Sequence, residues 1–310
     1  MKVLVTGGAG YVGSELVYQL SQLDQVKEIL VYDNLSNRNY NLFISHSNLM
    51  RNDKVKFEKG DLLDSRKLRK AMDGADVVYH LAAKVNIAEE HQDSYAFEHT
   101  NHWGTAEVVY AAEEANVKHF IYLSSTGVYG FSNSGEELTE GSRLNPRTHY
   151  AISKMRGEEH VLRLSDKLNV VVLRASSVYG YSPAIRFDSV INNFLFESHF
   201  NNHISIHGSG KQMRSFVHLN HVVKGMIRVV QGDVESGVYN LVQRNASILD
   251  LVDTFKALYP SLEFIFINQH IGLRNLQVNL NTKFDKYLTF DRKIELHDDI
   301  VKMTNRAFSF

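Results

Sequence analysis

VLVTGGAGYVGSEL, residues 3–16, runs from a short β-branched segment through a cluster of glycines into a segment with helical spacing. Gly7, Gly8, Gly10 and Gly13 each forgo the packing and entropy advantage of a larger residue inside an element, so something must come close to this backbone. Gly7, Gly10 and Gly13, with Tyr11 and Val12 between the last two, are spaced G-x-x-G-x-x-G. At a strand-to-helix junction this spacing permits a tight turn and lets a pyrophosphate reach the backbone at a helix N-terminus. A structural turn is the plain alternative. Asp33 weighs against it: it ends the run EILVYD 20 residues after Gly13. There a carboxylate accepts hydrogen bonds from an adenosine ribose and repels a 2′-phosphate, so the expected cofactor is NAD rather than NADP. Asn34 joins the same candidate set, and a solvated strand end or an Asx turn in DNLSN is the alternative.

The 310 residues can bury a large core, as two lobes or one large α/β unit. Lys plus Arg number 34 and Asp plus Glu 35, which gives no electrostatic case for a nucleic-acid polymer or an anionic membrane as partner. Cysteine is absent, which excludes disulfides, thiolate metal sites and a cysteine nucleophile and fits a reducing compartment. The amino terminus lacks the regions of a signal peptide, and no apolar run approaches the ~20 residues that span a bilayer. The expectation is a cytoplasmic protein with no metal.

Short runs at 3–6, 28–33, 55–61, 76–82, 119–125 and 169–175 read as buried strands. They alternate with helical spacing at 14–23, 65–72, about 95–115 and 150–168. This predicts an α/β fold: a Rossmann-type doubly wound parallel sheet with a smaller carboxyl-terminal α/β substrate lobe. The NAD-binding domain is expected over 1–175 plus about 209–231, and the lobe over about 176–208 and 232–310. Within the lobe, 192–202 reads as a polar run and 247–258 as a helix capped by Ser247.

Ligands of such sheets lie at the carboxyl ends of the strands. GDLLD places Asp61, with Leu62, to reach an adenine amino group or to serve as a helix cap. HLAA supplies Leu81, Ala82 and Ala83 as a flat wall along the dinucleotide, and Lys84 beyond them faces a phosphate or water. In HYAISKMRGEE, Asn145 and Pro146 predict a helix start that puts Tyr150 and Lys154 on one face. An ammonium beside a phenol stabilises the phenolate, making Tyr150 an acid/base candidate; a surface pair is the alternative. LSSTGVYG, 123–130, adds the hydroxyls of Ser124, Ser125 and Thr126 at the end of the fifth strand.

TGGAGYVG, Asp33, GDLLD, HLAA, SSTGVYG, YAISK and LRASSVYG together resemble the extended short-chain dehydrogenase/reductase family, in its nucleotide-sugar epimerase and dehydratase branch. IHGSGKQMRSFVHLNHVV, 206–223, and VNLNTKFDKYL, 278–288, are similar to later segments of that branch. The resemblance implies Ser125 as catalytic hydroxyl, Tyr150 as acid/base, and Lys154 as the residue that binds the nicotinamide ribose and tunes Tyr150. It implies Asn101 as a supporting residue near the cofactor, with a helix cap at Thr100 or Asn101 as the alternative. Arg214 becomes the candidate for a substrate diphosphate, which suits arginine's bidentate geometry. Arg274 is a second candidate, and Thr126 and Ser177 contact the sugar. It also implies a homodimer through the segments 95–115 and 147–168, whose Val108, Val109 and Leu162 are compatible with that face or with packing on the sheet. Two departures concern the substrate: Ser215 follows Arg214 where Asp is usual, and Asn220 and His221 replace common acidic residues.

Dehydratases of the branch carry an Asp-Glu pair directly after the catalytic hydroxyl, where this chain has Thr126 and Gly127. The reductase-epimerases use a cysteine, absent here. The resemblance therefore implies a nucleotide-sugar 4-epimerase, with a 4-dehydrogenase or reductase as one alternative and a non-catalytic NAD-binding protein as another.

Overall fold

The computed structural model describes residues 1–44, 49–85, 94–132, 135–232, 234–268, 275–292 and 294–308. Its first half alternates β1 (Lys2–Thr6), α1 (Tyr11–Ser21), β2 (Glu28–Asp33), α2 (Asn41–Ile44), β3 (Val55–Lys59), α3 (Ser65–Met72) and β4 (Val77–His80). A continuous helical stretch follows: α4 (Ser94–Phe97), a π-helical segment (Glu98–Trp103) and α5 (Gly104–Glu114). Then come β5 (His119–Ser125), α6 (His149–Leu162), β6 (Asn169–Ala175), β7 (Ser177–Tyr179), α7 (Val190–Phe200), β8 (His203–His207), β9 (Met213–His218) and α8 (Leu219–Gln231). The chain continues through β10 (Gly237–Leu241), β11 (Arg244–Ser247), α9 (Ile248–Leu258), β12 (Glu263–Ile267) and α10 (Leu296–Phe308).

Seven strands form one sheet in the order β10-β6-β5-β4-β1-β2-β3, every pair parallel. Alternate residues of a strand face opposite sides, and β1 shows it. Val3 and Val5 pack with Leu16 and Val17 of α1 and Val222 and Met226 of α8. Leu4 packs on the other face with Leu68 of α3, Val108 and Val109 of α5, and Val161 of α6. Val108 and Val109 are thus core residues covering the sheet. Sheet order reverses between β1 and β4, the switch point at which doubly wound sheets bind ligands.

Two small sheets build the rest. β7 lies parallel to β9, which pairs antiparallel with β11, and β8 pairs parallel with β12. Phe194 of α7, Phe216 of β9, Phe255 of α9 and Ile300 of α10 share a separate core. Ser247 caps α9 in a reciprocal capping box with Asp250.

Several expectations need correction. Residues 237–241, assigned to the lobe, form the seventh strand of the main sheet, because parallel bonds to β6 complete that edge. Of the segment 209–231, only α8 covers the main sheet; β9 belongs to the three-stranded sheet. The polar run 192–202 is mostly α7, whose Ile191, Phe194 and Leu195 are buried. Finally, α6 starts at His149 and is capped by Thr148, whose hydroxyl accepts the Ala151 N–H at 3.1 Å. The Asn145 N–H is instead bonded to the Val128 carbonyl, so Asn145 and Pro146 belong to the approach loop.

Candidate active site

A cavity of about 720 Å³ runs along the carboxyl ends of the parallel strands and crosses the switch point. After β1 it is lined by Gly7, Gly10, Tyr11, Val12 and Gly13. Gly7 has φ +71°, and a Cβ there would stand 2.5 Å from the Ala82 nitrogen. A Cβ on Gly13 would stand 2.3 Å from the Gly7 carbonyl oxygen. Both glycines are therefore required to fold the turn and seat α1 against it. The N-terminus of α1 carries no side-chain cap and no acidic residue in its first turn. Its N–H groups and dipole are available to an anion.

Asp33 at the end of β2 accepts the Ala9 N–H at 3.0 Å and the Leu35 N–H at 2.8 Å, which fixes the carboxylate on the cavity wall. Burial raises its pKa, and the two N–H donors oppose that. Asn34, Asp61 and Leu62 line the same end, where Asn34 donates to Asp61 at 3.0 Å. The cap of the following helix is Asp64, whose carboxylate accepts the Lys67 N–H, so Asp61 is not the helix cap. Leu81, Ala82, Ala83 and Lys84 form the wall after β4. An uncapped helix N-terminus, a glycine turn and a fixed acidic acceptor 20 residues on form a site that fits a dinucleotide.

Asn101 does not line the cavity. Wholly buried in the π-helical segment, it accepts the Lys84 N–H at 2.7 Å and donates to the Lys84 carbonyl at 2.9 Å and to Ser153 at 3.0 Å. Neither a helix cap nor part of the wall, it clamps the backbone after β4 from behind. Arg274 lies outside the described residues.

At the far end β5 and α6 bring three hydroxyl groups and an amine together. Ser124 and Ser125 alternate on β5, so they serve different layers. Ser124 donates to Glu158 at 2.5 Å, whereas the Ser125 Oγ accepts the Gly127 N–H at 3.1 Å and retains its own proton to donate. Thr126 lines the wall beside it, and Tyr150 and Lys154 enter from one face of α6. Lys154 is 2% exposed, with its Nζ 4.1 Å from the centre of the Tyr122 ring. Burial brings its ammonium down to about 7, opposed by Glu158. Burial also raises the Tyr150 phenol, while the charge of Arg186 and a hydrogen bond with Ser125 pull it down.

Arg186, whose charge favours the Tyr150 phenolate, is a residue sequence reasoning did not single out. Arg186 lines the cavity and is held bidentately by Asp188, Nε to Oδ1 and Nη2 to Oδ2 at 2.8 Å each. No motif flags an arginine in the loop YSPAIRFD; only its position after the strand-end run SSVYG could have. Ser177 of β7 and Arg214 of β9 close the cavity from the smaller sheet, and burial lowers the pKa of Arg214. Ser215 also lines the cavity, and its hydroxyl acts as a fastener, donating to Asn245 Oδ1 at 2.6 Å and accepting the Val278 N–H at 2.9 Å.

The family model described as the NAD dependent epimerase/dehydratase family matches residues 3–241. The chain is 34% identical over 245 residues to a human dTDP-D-glucose 4,6-dehydratase, covering 77% of this chain and 68% of that one. It is 29% identical over 261 residues to a putative UDP-glucose 4-epimerase of Methanocaldococcus jannaschii, covering 82% and 81%. Among solved structures it resembles UDP-glucuronic acid 4-epimerase from Bacillus cereus in complex with UDP-glucuronic acid and NAD, with a TM-score of 0.87, 23% identity and 98% of each chain covered.

Proposed function

The chain belongs to the NAD-dependent epimerase/dehydratase family, an enzyme family with NAD as its cofactor, and we propose that it is a nucleotide-sugar 4-epimerase acting through a transient 4-keto sugar. One observation carries the choice. Among the described residues the cavity's carboxylates are Asp33, Asp61 and Asp188. Asp33 and Asp61 stand at the adenosine end, and Asp188 is committed to Arg186. Elimination of water from a sugar requires an acid and a base beside the oxidised carbon. Among the described residues the wall around Ser125 and Tyr150 offers hydroxyl groups and cations instead.

Gly7, Gly10, Gly13 and the N-terminus of α1 would hold the NAD pyrophosphate, Asp33 the adenosine ribose, and Lys154 the nicotinamide ribose. NAD bound there would supply a reversible hydride acceptor for the sugar carbon, so that no net oxidation would accumulate. Tyr150, as phenolate, takes the proton of the sugar O4 directly or through Ser125. Ser125 then donates to the developing ketone oxygen, an interaction that strengthens as negative charge gathers there. The 4-keto sugar turns to present its other face, and Tyr150 returns the proton. Arg214 would hold the substrate diphosphate and Ser177 the sugar.

Proton NMR of the protein with UDP-, GDP-, dTDP- and CDP-linked sugars and catalytic NAD tests this reading. An inverted sugar without net NADH supports it. A 4-keto-6-deoxy product would establish a dehydratase, and a ketone formed only with stoichiometric NAD a dehydrogenase. Tyr150→Phe should lower kcat at least ~100-fold. Ser125→Ala should lower kcat more than it raises KM.

A further inference from the structure

A second cavity, of about 400 Å³, opens where the start of α8, the middle of α10 and the loop after β7 meet, and it shares no lining residue with the first. Three cations face it: Lys224 from α8, and Lys302 and Arg306 from α10. Lys302 and Arg306 are four residues apart on one helix face, a spacing at which like charges repel each other. Among the described residues none of the three forms an ion pair. The one carboxylate in the lining, Asp299, is already matched from inside, accepting the Tyr179 hydroxyl at 2.6 Å and Arg244 at 3.1 Å.

One further feature carries the same sign. The N-terminus of α8 lies here with no acidic residue in its first turn, its Asn220 N–H already taken by the neutral cap His218 at 3.2 Å, and its dipole adds positive potential. At the inner wall His221 is 9% exposed; burial lowers its pKa, so it adds no charge, but its Nδ1 has no hydrogen-bond partner among the described residues and is a polar group left for a ligand. Positive side chains and a helix dipole converging on one concavity, with no unmatched carboxylate in its lining among the described residues, raise the local concentration of anions.

We propose that this cavity is a binding site for a small, multiply charged phosphate anion, separate from the nucleotide-sugar cavity. Lys302 and Arg306 grip it from α10, Lys224 from α8, and Asn220 and Asn305 supply neutral donors. The guanidinium of Arg306 also lies 5.2 Å from the centre of the Tyr181 ring. Tyr181 follows Gly180, whose carbonyl accepts the Tyr11 hydroxyl at 2.6 Å, and the same loop carries Arg186. The anion therefore binds beside the loop that forms one wall of the first cavity.

Inorganic pyrophosphate titrated calorimetrically into the full chain saturated with NAD tests the site. Arg214→Ala serves as the background, to remove the cation proposed for the substrate diphosphate. On that background we expect one saturable event that weakens at least tenfold in Lys302→Ala/Arg306→Ala and separately in Lys224→Ala. These three residues are exposed, and an unchanged melting temperature confirms that each variant is folded. Absence of a binding event on the Arg214→Ala background, or equal affinity in both sets of folded variants, would overturn the proposal.

Discussion

Lys154 is buried where a charge is costly, and its titration turns that burial into a pH effect on stability. The unfolded chain holds the lysine proton up to its ordinary 10.5, whereas burial brings the folded group down to about 7. Between those values the unfolded state binds more protons, so stability rises with pH; below about 7 the full penalty applies. Its ceiling is roughly 5 kcal/mol, at ~1.4 kcal/mol per pH unit, less whatever the lost contact with Tyr122 was contributing. Lys154→Met, without cofactor, should therefore melt at least about 3 °C above the parent chain at pH 6, with the gap shrinking toward pH 10. A difference that did not depend on pH would remove the argument. The glycine turn differs in tolerance from one position to the next. A Cβ on Gly13 meets fixed backbone at 2.3 Å, whereas one on Gly10 meets only the Gly7 oxygen, at 3.1 Å. Gly13→Ala should cost about 1–3 kcal/mol and weaken NAD binding more than tenfold, whereas Gly10→Ala should melt near the parent temperature. Similar melting curves for the two would show that the turn relaxes freely.

Among the elements, α6 does two tasks at once, presenting Tyr150 and Lys154 to the cavity and Glu158 to the layer beneath. Glu158 accepts Arg174 through Nε at 3.0 Å and Nη2 at 2.6 Å, and Arg174 also donates to the Tyr129 hydroxyl at 3.0 Å. Both charged groups are almost fully buried. Breaking such a pair leaves an uncompensated charge inside, so Glu158→Gln should destabilise the chain by about 3–5 kcal/mol in denaturant titrations. A loss below 1 kcal/mol would mean that water reaches the pair. The strands feeding this site were legible because runs such as NVVVLRA are buried on both faces and bounded by polar residues. The start of α6 was not, because Asn145-Pro146 matches a cap and first-turn signal while the backbone there is spent on Val128. α7 was hidden for a similar reason: its Asn192 is buried, bonded to the Tyr11 hydroxyl and the Arg186 carbonyl. Polarity in that run serves long-range contacts, which a local pattern does not reveal. The cavity residues that follow strands were read from local motifs, whereas Arg186 enters through a loop whose position depends on the tertiary fold.

For the whole molecule, burial within one chain narrows what can form a dimer. Val108 and Val109 are spent on the sheet, but Tyr95 is 69% exposed, Trp103 56% and Tyr110 43%, with Leu162 of α6 at 36%. Trp103 and Tyr110 are seven residues apart, two helical turns, and so share a face. Aromatic residues standing out along one helical stretch, beside an exposed leucine on the adjacent α6, are the composition expected at the centre of an interface. We propose that the chain is a homodimer through this face of α4, α5 and α6. Trp103, the one tryptophan in the sequence, makes the proposal directly measurable. Its fluorescence should be blue-shifted at micromolar concentration and move to the red on dilution, in step with a fall from dimer to monomer mass by light scattering. Tyr110→Asp should give the red-shifted spectrum and the monomer mass at every concentration, because it places an unpaired charge in a closed apolar contact. A dimer that persists in Tyr110→Asp, with the Trp103 emission solvent-exposed throughout, would place the interface elsewhere.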